Sequence, residues 1–574
     1  MLAILLLVCV LPGCAVGPGY RHPDTRLPEN WHEASENGLV AGEADVQEWW
    51  KTFNDDTLSS LIDRAAHGNL GVRIAVLRIR EARALRGVAV GELLPSLSGS
   101  TSYDRSKASA NGPAAGMSVP GPGAQFGNTV ARGIATGAIG QGLGAAVPNA
   151  AGVTNSLATG LVGLIPSRSG LPQTDDSDLF ATGFDASWEI DVFGGKRRNV
   201  QAAGADLSAT VEDYRAVLVS LLAEVATTYI DLRALQSQIS ATKQNIELQK
   251  HTLLLTQSRF DAELTSELDV RQAQTNLATT ESELPLLEAG LSLAIYRLGV
   301  LLGREPAALY DELLVEGPIP QAATGTFVGI PTDIIRRRPD IRAAERRLTA
   351  QTARIGVAAA ELYPRFTLSG TFAFQATDFN HALDGRSISY GFGPAVRWNI
   401  FDGLRNLNRI AAQEAVAHQA YVAYEQTLLL ALENVEVSMV AYKHEQDRYD
   451  ALLRAVDAGR RTVHLAQMRY DDGLTDFQRV LDAQRSLVAL ENALAQSRGQ
   501  VAVNLVALYK ALGGGWRPDY MPQTLYLEAP SDALDNPLDF FLTGGKSALP
   551  WATESPEPSP TDATPAEQNG EEGR

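Results

Sequence analysis

A phrase of sixteen residues occurs twice in this chain, and few folds accommodate that. Arg259-Phe260-Asp261-Ala262-Glu263-Leu264-Thr265, continuing through Val270, Ala273 and Gln274, returns 210 residues later. The second copy reads Arg469-Tyr470-Asp471-Asp472-Gly473-Leu474-Thr475 and continues through Val480, Ala483 and Gln484. Seven of the sixteen aligned positions are identical without a gap, and Phe260 against Tyr470 is an eighth match. The same offset brings Trp188 onto Trp398, Ile190 onto Ile400, Tyr214 onto Tyr424 and Leu302-Gly303 onto Leu512-Gly513. The chain is two copies of one long unit, and whatever it builds is built twice.

Each copy holds two segments in which apolar and polar residues alternate. In Phe180–Val192, Phe180, Phe184, Trp188 and Ile190 oppose Asp185, Ser187, Glu189 and Asp191. Phe366–Ala376 and Tyr390–Ile400 repeat the pattern, with Phe366, Phe372, Tyr390 and Trp398 among their apolar residues. Leu93–Tyr103 is the weaker fourth, where Leu93, Leu97 and Tyr103 oppose a row of serines. One apolar and one polar face over about ten residues is what a transmembrane β-barrel strand requires. A soluble sheet with one wet face alternates in the same way. Aromatic residues near the segment ends (Tyr103, Tyr363, Tyr390, Trp188, Trp398) favour the membrane. Four strands do not close a barrel, and lipid tolerates no open sheet edge. Several chains must then share one barrel, and periodicity does not choose between two, three and four.

The duplication also locates an insertion. Glu92-Leu93-Leu94-Pro95 matches Glu361-Leu362-Tyr363-Pro364 at an offset of 269, so the first hairpin has gained 59 residues relative to the second. The gain falls in a Gly/Ala-rich loop, 105–179, expected at the outer end of that hairpin. A long helical run follows each hairpin, from Lys196 to Phe260 and from Leu404 to Tyr470, and each approaches ~100 Å at ~1.5 Å per residue. Return helices follow the repeated phrase. They carry heptads at Val270, Leu277, Leu284, Leu291 and Leu298 and at Val480, Leu487, Leu494, Val501 and Leu508. Seven-residue spacing supports left-handed coiled-coil packing. Pro285 and Gly290 bend the first of them without ending it. Upstream, Trp49-Trp50 precedes an amphipathic helical stretch expected from Thr57 to Glu92.

Met1–Val10 is an apolar run of signal-peptide length. Leu11-Pro12-Gly13-Cys14 after it resembles the bacterial lipoprotein cleavage box, which makes Cys14 the lipidation candidate. Ala15, rather than aspartate, follows; by resemblance to other bacterial lipoproteins this favours the outer membrane. Acyl chains on Cys14, at about 0.8 kcal/mol per buried methylene, would anchor the N-terminus. Cys9 and Cys14 are the only cysteines, so the body has no disulfide framework or Cys-based metal site. The formal net charge of −18 argues against nucleic acid as a partner. No catalytic, cofactor or metal constellation emerges. Eight scattered histidines form no His-Glu-x-x-His pair, and Gly513-Gly514-Gly515 lacks the Lys-Ser/Thr of a phosphate loop. Arg338-Pro339-Asp340 reads as a helix start, with the carboxylate near the N-terminal dipole.

The chain resembles the TolC-like outer-membrane efflux ducts, specifically the OprM/NodT-like lipoprotein branch of RND-type tripartite systems. The residues that carry the likeness are Gly13-Cys14-Ala15-Val16-Gly17-Pro18, Trp188 to Gly195, Arg338 to Arg346 and Leu508 to Trp516. The resemblance implies a mainly α protein with membrane β-structure, built from a duplicated helix-strand-strand-long helix-helix unit. A homotrimer would form a 12-stranded outer-membrane β-barrel continued by a periplasmic α-helical barrel. It also implies a periplasmic adaptor and an inner-membrane pump as partners, and no enzymatic activity. The expected plan is a signal peptide over 1–13, a lipidated tether over 14–54 and a first repeat over 55–303. A linker and equatorial segment over 304–331, a second repeat over 332–513, and an equatorial segment with an acidic disordered tail over 514–574 complete it. Carried over by position, Asp269, Tyr470, Asp482 and Arg485 are periplasmic gate candidates, with Phe477 as an apolar constriction. Asp482 and Arg485, three apart on a helix, could pair with each other or with neighbouring chains. Arg479 stands where some relatives have an acidic residue, and Gln478 where others have leucine. The leading expectation is a passive exit duct for efflux. A lipid-anchored coiled-coil surface protein without a pore, or the exit duct of a type I secretion system, are the alternatives.

Overall fold

A computed structural model describes residues 15–24, 28, 31–32, 39–41, 47–107, 177–322, 326–328, 337–517 and 520. The chain divides into two compact units, Met1–Gly515 and Trp516–Arg574, and all the elements below belong to the first. Cys14, the bulk of the 105–179 loop and the acidic tail lie outside the described residues.

Strand alternation produces a four-stranded antiparallel sheet. β1 (Leu39–Ala41) pairs in parallel with β4 (Thr326–Val328) as a separate ribbon. β2 (Ser96–Ser106), β3 (Ser177–Ile190), β5 (Arg365–Ala376) and β6 (Ile388–Arg397) lie in the order β2-β3-β5-β6, which among the described residues leaves one edge of β2 and one of β6 without a partner strand. The register stacks like residues across strands: Phe184, Phe372 and Tyr390 form one row, and Trp188, Leu368 and Pro394 another. The apolar face this creates is left bare, with Phe184 58%, Tyr390 73% and Phe392 85% exposed. The two copies make the same bond at the same place. Trp188 Nε1 donates to the Leu93 carbonyl at 2.9 Å, and Trp398 Nε1 to that of Leu362 at 3.0 Å. Both offsets read from the sequence are present in that pair.

Two strand boundaries shift for identifiable reasons. The first strand begins three residues later than Leu93, because Leu93 and Leu94 still donate to the Val90 and Gly91 carbonyls and so continue the helical turn. β6 ends at Arg397, opposite the first residue of β5, so Trp398 and Ile400 fall beyond the ladder.

The helices longer than one turn are, among the described residues, α1 (Asp56–Gly68), α2 (Leu70–Gly91), α3 (Gly195–Asp261), α4 (Glu267–Leu301), α5 (Pro339–Ala360), α6 (Arg405–Asp471) and α7 (Phe477–Ala511). The single helix expected from Thr57 to Glu92 is corrected to two. Asn69 is extended, its side chain caps Val72 N, and its amide donates to the Leu301 carbonyl at 2.7 Å. A distant segment meets the chain at this break: Gly68 and Gly303 approach so closely that a Cβ on Gly303 would lie 2.1 Å from the Gly68 oxygen. Both long helices have 67 residues, or about 100 Å at ~1.5 Å per residue. Pro285 sits inside an unbroken α4. Nearest the sheet the helices pack in the order α2-α3-α5-α6, which repeats the strand order, and α4 and α7 pack against α3 and α6 farther along.

All four helix ends that the repeat brings into register close the same way. Leu264 N donates to Arg259 O, Leu474 N to Arg469 O, Arg304 N to Gly299 O and Gly514 N to Tyr509 O, each at 2.8–3.0 Å. These six-to-one bonds, with their five-to-two companions, are Schellman caps and need a left-handed residue at the turn. Gly303, Gly473 and Gly513 supply it at φ +70, +71 and +78, but the first hairpin uses Glu263 at φ +59. The repeated phrase is therefore a helix-ending signal made twice. Toward the other end of α7, Trp49 stacks on Tyr509 with ring centroids 5.7 Å apart and meets Trp50 and Phe53 edge-on. All three of these N-terminal aromatic residues are at most 3% exposed.

Candidate functional site

The turns between α3 and α4 and between α6 and α7 come together as one cluster, a full long-helix length from the sheet end of α3. Its apolar part is Ala273, Tyr470, Phe477, Val480 and Leu481, flanked by Leu253 and Ala466. The Tyr470 and Phe477 rings lie 5.2 Å apart. Arg259, from the first turn, crosses to the second. Its guanidinium carbon stands 4.7 Å over the Tyr470 ring, and its Nη1 donates to the Asp471 carbonyl at 3.0 Å. The Tyr470 hydroxyl and Arg259 Nε are buried without hydrogen-bond partners, beside a cavity of about 350 Å³ bounded by Arg259, Leu264, Asp269, Tyr470, Asp476 and Phe477.

The expected gate residues divide in two. Tyr470 (4% exposed) and Phe477 (2%) face into the chain's own core. Phe477, expected as an apolar constriction, packs its ring against Tyr470 within the chain. Asp269, in the first turn of α4, accepts a hydrogen bond from the Thr265 hydroxyl. Asp482 and Arg485 are exposed and take separate partners. Asp482 accepts from Gln478 Nε2 at 2.9 Å, and Arg485 Nε donates to Asn276 Oδ1 on α4 at 2.9 Å, in place of the mutual pair that is one of the two expectations. Behind them, buried Gln484 donates to the Thr252 hydroxyl of α3 at 2.9 Å.

Sequence reasoning missed Arg259 as a candidate residue at this site. Its counterpart Arg469 is identical but exposed. The available signal was the aromatic substitution beside each arginine, since Tyr470 is the ring that Arg259 covers. The arrangement is mechanical rather than chemical. Among the described residues no group of three His, Cys, Asp or Glu could hold a metal ion. Arg259 adds a cation–π contact and a hydrogen bond between two turns that the apolar cluster and the Gln484–Thr252 and Arg485–Asn276 bonds also hold together.

The opposite end of α3 receives the N-terminal segment. Val16 N donates to the Phe193 carbonyl at 3.1 Å, and Arg198 returns bonds to the Val16 and Gly17 carbonyls at 3.2 Å. Ala15 packs against Gly194, and Gly17, at φ +90, lies against Gly356 with no room for a Cβ on either. Farther on, the Tyr20 hydroxyl donates to Glu345 at 2.9 Å, and burial, then this carboxylate, push its pKa far up. The segment that follows Cys14 is thus seated where β3 gives way to α3.

Comparison with known proteins agrees with this geometry. The sequence profile of the family described as outer membrane efflux protein matches residues 154–304 and 330–514. Nodulation protein T of Rhizobium leguminosarum bv. trifolii is 29% identical over 510 residues, which cover 89% of this chain and 96% of that protein. Outer membrane protein OprJ of Pseudomonas aeruginosa is 28% identical over 516 residues, 89% of this chain and 95% of its own. Among solved structures, the outer-membrane channel OprN superposes with a TM-score of 0.72 at 32% identity, over 89% of this chain and 100% of that one.

Proposed function

Because this chain belongs to the outer membrane efflux protein family, we propose that three copies of it close side by side into one lipid-anchored duct, which a periplasmic adaptor and an inner-membrane pump engage at the far tip. The chain is the outer-membrane channel of an efflux system, a transport protein and not an enzyme, with its helical part in the periplasm.

The observation that carries the assembly is the pair of open edges. An unsatisfied backbone group in lipid costs several kcal/mol, so β2 and β6 require partners. Strand directions alternate from β2 to β6, so the β6 edge of one copy meets the β2 edge of the next with the alternation kept. Three copies give twelve strands. The helices offer matching edges. On α2, Leu70, Leu77 and Leu85 are 57–60% exposed, and on α6 Val422, Leu429 and Val437 are 58–66% exposed. On α4, Leu286, Leu293 and Val300 form an outward stripe at seven-residue spacing. The positions 210 residues on, in α7, are Gln496, Val503 and Lys510. α4 is the one helix among the described residues long and apolar enough to cross a membrane, and we assign that apolarity to contact with the next copy. Native mass spectrometry of the detergent-extracted protein is expected to give three chains; a monomer, dimer or tetramer would remove this closure.

The docked segment after Cys14 supports a lipid anchor, since Ala15, the next residue, packs against Gly194 at the end of the sheet. Radiolabelled palmitate is expected to enter the wild-type protein and not Cys14→Ser; equal labelling would move the anchor elsewhere. At the tip, we assign Asp269, Asp482 and Arg485 to the rim of the closed passage, and Tyr470 and Phe477 to the packing behind it.

A further inference from the structure

The face of the sheet opposite Phe184, Phe372 and Tyr390 is nearly free of charge. From the level of Ser102 inward to the level of Ser187, it carries only Ser, Thr, Ala, Gly and Gln on all four strands, with one exception. That exception is Asp185 on β3, in register with Ser98 on one side and Thr371 on the other. Its Oδ1 is buried against the sheet and has no hydrogen-bond partner. The Ser98 hydroxyl beside it donates to the Asp185 backbone carbonyl at 3.4 Å and so does not serve the carboxylate. Other charges on this face are far away. Glu189 lies four residues inward on the same strand, about 13 Å at ~3.3 Å per residue. Asp104 outward, and Arg365 with its register partner Arg397 inward, lie six positions off, about 20 Å.

We propose that Asp185 sets the ion preference of the membrane part of the duct. In a closed ring of copies, one carboxylate from each makes a single anionic belt around a neutral, hydroxyl-lined passage, drawing cations in and holding anions back. The inference rests on the duct reading above. Twelve strands spaced ~4.8 Å apart and tilted ~40° enclose a backbone radius of about 12 Å. The Debye length is about 10 Å at 0.1 M salt and about 3 Å at 1 M. The belt's field therefore spans the passage in dilute salt and collapses onto its wall in concentrated salt. Asparagine removes the charge at constant shape, so the barrel itself is left as it was.

The test is the reversal potential across planar bilayers under a tenfold KCl gradient, for the parent, Asp185→Asn and Asp185→Glu, in the wild-type and Arg259→Ala backgrounds. In dilute salt, around 0.05 M, the cation-to-anion permeability ratio of Asp185→Asn is expected to fall by at least about threefold, while Asp185→Glu keeps it. Around 1 M the three are expected to coincide. Discrete steps of parental size with an unchanged ratio in dilute salt would overturn the role of Asp185. If neither the parent nor the variants gave discrete steps, the duct reading itself would fall, and this inference with it.

Discussion

Arg259→Ala is expected to leave the outer membrane leaky to large polar solutes, whereas Arg469→Ala, at the same place in the repeated phrase, leaves it tight. Arg259 holds the two turns together through the Tyr470 face and the Asp471 carbonyl. A cation over an aromatic ring contributes about 0.5–2 kcal/mol, and a hydrogen bond from a charged donor about 1.5–3 kcal/mol. Both contacts are partly open to water, so the low end of the combined range applies, about 2 kcal/mol. At about 1.4 kcal/mol per tenfold, that moves the ratio of open to closed tips roughly 30-fold. Uptake of a polar dye too large for ordinary porins, by cells expressing each variant, reads the difference. Equal uptake in wild-type and Arg259→Ala cells would show that the tip is held by other contacts. Asp482→Ala in the same assay tests the rim: it is expected to raise uptake less than Arg259→Ala, because its carboxylate is exposed and its bond to Gln478 lies within one helix.

The second large effect is on stability. Trp49→Ala is expected to destabilise the protein by about 3–5 kcal/mol, the usual cost of deleting a buried tryptophan. Trp49 is 1% exposed, stacks on Tyr509 of α7, and has its indole nitrogen within 2.9 Å of where a Cβ on Gly515 would lie. The lost contact joins the N-terminal segment to the far end of the second repeat, so a cavity there loosens both. For a unit of roughly 500 residues, 3–5 kcal/mol amounts to a fall in melting temperature of about 3–5 °C. Followed by circular dichroism on extracted protein, an unchanged melt would mean that the aromatic cluster collapses to fill the space.

Much of the fold was legible because it is built from short-range rules applied twice. Strand alternation separated the apolar face of the sheet from the polar one. The paired offsets of 210 and 269 imply that the two hairpins carry equivalent local contacts, and the indole bonds of Trp188 and Trp398 to Leu93 and Leu362 are such a pair. The phrase itself is a capping signal, so its position was readable along with its identity. What escaped reading depends on contacts far apart in the chain. The break at Asn69 is an exception: Gly68 and Gly71 flank a capping asparagine, a local signal that the amphipathic pattern masked, and the close approach of Gly303 adds to it. Phe477 is expected as a constriction by resemblance to the family; its burial follows from Tyr470 lying opposite. Arg259 and Arg469 are the same residue in the same motif, and only the neighbouring helix gives one of them a ring to cover. Glu263 makes the same point about the backbone, holding at φ +59 a turn for which its counterpart has glycine.

The claim that most needs direct measurement is that copies of this chain enclose a passage closed at the helical tip. Purified protein added to one side of a planar bilayer answers it. The expected record is discrete, long-lived steps of small conductance from the wild type and steps several-fold larger from Arg259→Ala. Absence of discrete steps from both proteins, with the oligomer intact, would contradict it.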